Sequence, residues 1–324
     1  MSRSRDLAVR AGDVTLAGTV TLPDAPPDER GRYPATLLLP SWLPRDREGA
    51  WDRTGHPAWF AAARDGAGLL GRLAEALAER GIASLRCDPR GCGASEGEWE
   101  RTSLFTRIDD ARDMLAAMRS DAALDLRRSA IVGHGEGATL AMSVAIGDPA
   151  ISALTLIGPA ARSWRDVLRR GVAARDRHAE ERQHPLVAVL DWRSEEMIER
   201  AERREQDIDL RLPDGTLTMD LAWVEQAIHT PPLALATMLH RSVALVHGAS
   251  DAWSHPDESL LLVEALRGGG NRPSRRLIAG ADHDLAQAGD DLIGEIAADL
   301  AARITPVELP PVLVAIEEMG DDLR

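Results

Sequence analysis

The chain has 324 residues, 44% of them hydrophobic, with 52 acidic against 38 basic side chains and a formal net charge of -14. That is enough apolar material for one large domain or two small ones. The acidic balance argues against nucleic acid or anionic membrane as partners, since both demand a cationic face.

Every basic residue is an arginine, a pattern expected of a GC-rich genome rather than of a mechanism. The start, MSRSRDLAVRAGDV, carries no apolar run, and no later stretch of about 18 apolar residues occurs, so neither a signal peptide nor a membrane span is expected. A cytoplasmic location follows as the expectation. Cys87 and Cys92 have no partners at metal-ligand spacing, which predicts free thiols and no metal site.

In chain order, DLAVRAG and VTLAGTVTLP alternate apolar and polar residues about a turn at 11–13, predicting an antiparallel hairpin at a sheet edge. Short apolar runs then predict buried strands at 35–40, 82–88, 129–133, 153–158, 243–248 and 275–280. Amphipathic segments predict helices at 68–81, 107–120 and 285–303. This alternation favours a mostly parallel sheet covered by helices on both faces. Charge-rich helical text with Trp164, Trp192 and Trp223 interrupts the rhythm. It predicts a helical cap insertion at 160–235, splitting a core of 1–159 and 236–324. The tail at 304–324 has an apolar patch that would pack on the body or on a second subunit in a homodimer.

Three motifs carry chemistry. GHGEG, Gly133 to Gly137, lies between a predicted strand and a predicted helix; VHGASDAW places Asp251 after the next-to-last strand; GADHDL places His283 after the last. Together with RCDPRGCGASEG at 86–97, they resemble the α/β hydrolase superfamily over nearly the whole chain, above all its prolyl-oligopeptidase-like and dienelactone-hydrolase-like branches. The resemblance implies the α/β hydrolase fold with an eight-stranded sheet. It further implies a nucleophile elbow at GHGEG, Asp251 as triad acid and His283 as triad base.

Two departures bear on function. Gly135 stands at the nucleophile position, so no acyl-enzyme can form there. After the third strand, Pro40, Ser41 and Trp42 replace the histidine and glycine that usually open the oxyanion loop. The backbone amides of Trp42 and Glu136 remain able to bind an anion, because an amide donates whatever the side chain. The Glu136 carboxylate is expected to point away, and Ser41 and Cys87 lie off the elbow and read as small buried residues.

A His283–Asp251 pair without a serine can take a proton from carbon, from water or from a substrate hydroxyl. The leading expectation is a cofactor-independent lyase in which His283 abstracts a C–H proton and a carboxylate leaves. In this it resembles the α/β-hydrolase-like proteins of spirotetronate biosynthesis, which eliminate acetate from an O-acetylated tetronate. Ser41, His134, Arg45, Arg47, Arg162 and Trp164 are candidate pocket residues for a small-molecule substrate, and Arg53 joins the arginines as a candidate for binding its negative charge. Three other readings stand beside this one: a hydrolase with His-activated water, a non-catalytic binding or scaffold protein, and a serine esterase inactivated by Ser-to-Gly substitution.

Overall fold

Runs such as Leu37 to Leu39 in the third strand are apolar at consecutive positions, as expected of strands buried on both faces, where side chains alternate between two covering layers. The computed structural model describes residues 2–52, 68–175, 185–213 and 215–308. Arg53, and the tail from 309 onward, lie outside the described residues.

The elements begin with β1 (Arg3–Ala11), β2 (Val14–Leu22), β3 (Tyr33–Leu39), α1 (Leu69–Ala78), β4 (Ala83–Cys87), α2 (Leu104–Ser120), β5 (Leu124–His134), α3 (Glu136–Ile146) and β6 (Ile151–Ile157). An insertion follows: α4 (Trp164–Arg175), α5 (Pro185–Glu202), β7 (Asp207–Leu212), β8 (Gly215–Asp220), α6 (Ala222–His229) and α7 (Pro232–Met238). The chain then returns through β9 (Ser242–Gly248), α8 (Asp257–Gly268), β10 (Ser274–Ile278) and α9 (Asp290–Arg303).

Eight strands form one sheet in the order β1-β2-β4-β3-β5-β6-β9-β10. β1 and β2 pair antiparallel at the edge, β2 runs antiparallel to β4, and all later pairs are parallel. Along β3, Leu37 and Leu39 join the core packed by α2, α3 and α8, whereas Leu38 joins the opposite core with α1 and α9. The period-two alternation thus feeds both helical layers.

The parallel pairing fixes the site. Leu39 is level with Gly133, His134 with Ile157, Ile157 with Val246, and Gly248 with Ile278, so the loops leaving β3, β5, β6, β9 and β10 emerge along one edge. That edge is where an open α/β sheet holds its ligand.

The insertion differs from the helical expectation in one respect, since β7 and β8 form an antiparallel hairpin within it. The sequence carried the signal: IDLRL and TLTMD alternate on either side of PDG, a turn-forming tripeptide. The insertion is no solvated decoration. Leu186, Leu190, Met197, Leu210 and Met219 are buried and continuous with the core beneath the sheet.

Candidate active site

The turn from β5 into α3 demands glycine at three alternate positions. A Cβ on Gly133 would stand 2.2 Å from the Gly137 carbonyl oxygen, and one on Gly137 would stand 2.3 Å from the Leu39 carbonyl oxygen. Gly135 between them has φ 57° and ψ -118°, a backbone region that glycine enters without steric cost. The sharp elbow therefore persists although no side chain projects from it.

The loops after β9 and β10 bring Asp251 and His283 together. His283 Nδ1 donates to Asp251 Oδ2 at 2.8 Å, so the Nε2 lone pair is left facing Gly135; a Cβ there would lie 2.9 Å from it. Asp251 Oδ1 accepts from the amides of Trp253 and Ser254, both at 2.8 Å. His247 Nε2 approaches Oδ2 at 3.2 Å while donating to the Ser254 carbonyl at 2.7 Å. Burial alone would raise the Asp251 carboxyl, but the His283 charge and the donors around it win and hold it well below the usual carboxylate range. For His283 burial works toward a lower value, and the Asp251 charge and hydrogen bond overcome it and raise the imidazole above its ordinary value.

His134 is not a pocket residue. It is fully buried behind the dyad, its ring 4.6 Å from that of His283, and its Nε2 donates to the His283 carbonyl at 3.0 Å. Burial, reinforced by the His283 charge, pushes it down to about 3, so it stays neutral. Its bond to the His283 carbonyl ties β5 to the loop that carries His283.

The loop after β3 is held from behind by Arg107 and Trp99, which the sequence did not single out, and by Trp223. Arg107 donates to the Ser41 carbonyl at 3.2 Å and pairs with the Glu136 carboxylate at 2.7 Å. Trp99 Nε1 donates to the Trp42 carbonyl at 2.8 Å. The Trp42 ring stacks on Trp223 of α6 with centroids 3.9 Å apart, and Trp223 Nε1 donates to the Glu136 carboxylate. Burial pushes the Glu136 carboxyl up, opposed by the Arg107 charge and these hydrogen bonds. The carboxylate thus lies behind the elbow, between Arg107 and Trp223. The amides of Trp42 and Glu136 make no hydrogen bond to another described residue.

A recess of about 530 Å³ of empty space, counting its mouth, opens over this floor. Gly135, Ser41 and His283 line it from below, and Trp164, Val167 and Leu168 of α4 from above. Arg45 also lines it, 1% exposed, paired with Asp284 at 3.0 Å and lying over the Trp51 ring at 4.3 Å. Of the arginines expected near the pocket, Arg45 alone among the described ones is in place. Arg47 turns to Asp88 at 2.7 Å and Thr19 at 3.0 Å, away from the recess. Arg162 is bound to Glu258 through side chain and amide. Carboxylates distant in sequence claimed both cations.

Ser41 is buried and lines the recess. It lies off the elbow in sequence, yet its Oγ would stand 2.4 Å from a Cβ on Gly135. Cys87 and Cys92 are buried free thiols, and burial pushes Cys87 up to about 12. No group of metal-ligating side chains occurs among the described residues, and no helix among them is long and apolar enough to cross a membrane.

The family model for serine aminopeptidase S33 matches residues 63–288. The chain belongs to that family, within the α/β hydrolases. A search of curated proteins returned no match. Among solved structures, this S33-family protein is similar to Est1E from Butyrivibrio proteoclasticus with ferulic acid bound, at 15% identity and TM-score 0.63 over 92% of this chain and 99% of that one. It is similar to the acylaminoacyl peptidase of Pyrococcus horikoshii at 13% identity and TM-score 0.63, covering 98% of this chain but 44% of that longer one. The α/β hydrolase GrgF from Penicillium sp. sh18 matches at 17% identity and TM-score 0.60, over 93% of this chain and 99% of that one. At such identities these likenesses speak for the fold alone. The S33 protein therefore has its family's scaffold with glycine where a nucleophilic serine is expected.

Proposed function

We propose that this S33-family protein is a cofactor-independent carbon–oxygen lyase acting on a small carboxylic ester. The observation that carries the reading is the orientation of His283: Nδ1 is committed to Asp251, and Nε2 faces an elbow residue with no side chain to activate. A base so held takes a proton from a carbon acidified by an adjacent carbonyl. The electron pair left behind forms a carbon–carbon double bond as the β C–O bond breaks and the carboxylate departs. The amides of Trp42 and Glu136 are the donors for the developing negative charge.

Acetate leaving an O-acetylated tetronate-type intermediate is the substrate class that fits this reading. The recess offers apolar walls from Trp164, Val167 and Leu168, with the buried Arg45–Asp284 ion pair beside them. Incubation with an acetylated β-elimination substrate, followed by mass spectrometry, tests it. Free acetate with a new alkene is expected; acetate with an alcohol would show hydrolysis instead, and absence of both binding and turnover would leave a non-catalytic protein.

A further inference from the structure

We propose that Ser41 is a transposed nucleophile, a hydroxyl carried on the oxyanion loop that reaches the place left empty at the elbow and accepts acyl groups from esters with no acidic C–H to eliminate. This goes beyond the lyase reading. It shares with it the His283–Asp251 base and does not depend on elimination.

The geometry is local. Ser41 Oγ and His283 Nε2 lie 2.4 and 2.9 Å from one point, the Cβ position of an L side chain at 135. An elbow serine would place its hydroxyl in that volume, and here a different serine enters it from across the recess. Ser41 is 7% exposed, lines the recess, and its hydroxyl bonds to no other described residue. Its backbone is pinned by Arg107 on its own carbonyl and by Trp99 on the next one. What remains free is rotation about χ1, which swings Oγ within the shared volume.

The anion site serves this serine as well as it would serve an elbow serine. At an elbow, one oxyanion donor is the amide of the residue after the nucleophile. The residue after Ser41 is Trp42, and the residue after Gly135 is Glu136; neither amide is taken by a described residue. Moving the hydroxyl from one loop to the other exchanges the roles of the two amides and keeps both.

The step balances with water as co-reactant. His283 Nε2 takes the Ser41 hydroxyl proton as Oγ bonds to the ester carbonyl carbon. The tetrahedral oxyanion collapses, the ester C–O bond breaks, and the alcohol leaves with the proton from His283. Water then attacks acyl-Ser41, giving its proton to Nε2, and Ser41 departs as the free hydroxyl when that proton returns to Oγ.

The test uses the full chain and an alkyl fluorophosphonate, which forms an O–P bond and releases fluoride. Intact mass and peptide mapping should show one adduct, on Ser41. Ser41→Ala should abolish it, and His283→Ala should slow it by about 100-fold or more. Gly135→Ala, which retains Ser41 but puts a methyl in the shared volume, should slow labelling at least about tenfold. Each variant is first shown to retain the wild-type melting profile, and p-nitrophenyl acetate turnover should follow the labelling. Absence of an adduct in folded wild-type protein, an adduct elsewhere, or labelling indifferent to Ser41→Ala overturns the proposal. Alkene formation without Ser41 labelling would leave the lyase reading standing alone; labelling without alkene formation would do the reverse.

Discussion

Arg107 and Glu136 form an ion pair sealed beneath the elbow, Nε to Oε2 at 2.7 Å, with Glu136 fully buried and Arg107 5% exposed. The pair joins α2 to the first residue of α3, and through the Arg107 bond to the Ser41 carbonyl it also ties down the oxyanion loop. Two desolvated charges of this kind are each dependent on the other.

Removing one partner should therefore cost more than removing both. Arg107→Ala leaves a buried carboxylate unpaired, and a loss of about 3–5 kcal/mol is expected. Arg107→Met with Glu136→Leu should recover part of that stability while leaving Trp223 Nε1 without its acceptor. Chemical denaturation of the three proteins checks this; equal stability of the single and double variants would refute the coupling.

His283→Ala should remove the base and lower kcat by at least about 10²-fold whichever proton it takes. Asp251→Asn should lower kcat without abolishing binding, because it unlocks the imidazole tautomer that Asp251 now fixes. Single-turnover rates and equilibrium ligand binding separate the two effects, and full activity in His283→Ala would exclude this site as the catalytic one.

The pH profile has a definite sign. Neutral His283 is the active base and its pKa is raised, so kcat/KM should climb with pH through a value above the ordinary imidazole value near 6.5. In Asp251→Asn the charge that raises it is gone while burial remains, and the acid limb should move to lower pH. For stability, the depressed Asp251 contributes above the unfolded carboxyl value, and this contribution is lost as pH falls through its folded value. The raised His283 contributes fully below its unfolded value and loses that contribution as pH rises through its folded one. A limb that fails to move in the asparagine variant would mean that another group titrates.

Gly133→Ala should disrupt the turn, since the new methyl meets the Gly137 carbonyl oxygen at 2.2 Å and that backbone cannot move without displacing α3. A lower melting temperature together with loss of fluorophosphonate labelling is expected. A wild-type melting profile would show that the elbow is looser than the close backbone approach requires.

The parts of this architecture legible in the sequence were those written in local periodicity. Buried parallel strands are continuous apolar runs, and the turns that follow them carry small residues, so β3 to β6, β9 and β10 and the places of Gly135, Asp251 and His283 could be read directly. The last helix begins at Asp290 rather than 285, because the histidine loop continues in irregular turns through Gly289. Side-chain direction was not legible. Nothing in PSW tells that Ser41 points at an elbow some ninety residues away, and nothing local to Arg47 or Arg162 names Asp88 or Glu258 as their carboxylates. His134 read as a pocket residue because it precedes Gly135, whereas the alternation along β5 carries its ring beneath the dyad. The hairpin of β7 and β8 was overlooked for a different reason: its alternation is short and lies within text dominated by charged helical segments.

The stack of Trp223 on Trp42 and the bond from its indole to Glu136 make the insertion a keystone rather than an appendage. Excising it to obtain a minimal hydrolase would uncover the face of Trp42 and strip a donor from a carboxylate that has no access to water. The floor of the site is thus completed by its own roof. An evolutionary path that altered the insertion to admit new substrates would have had to keep one tryptophan in place while everything around it changed.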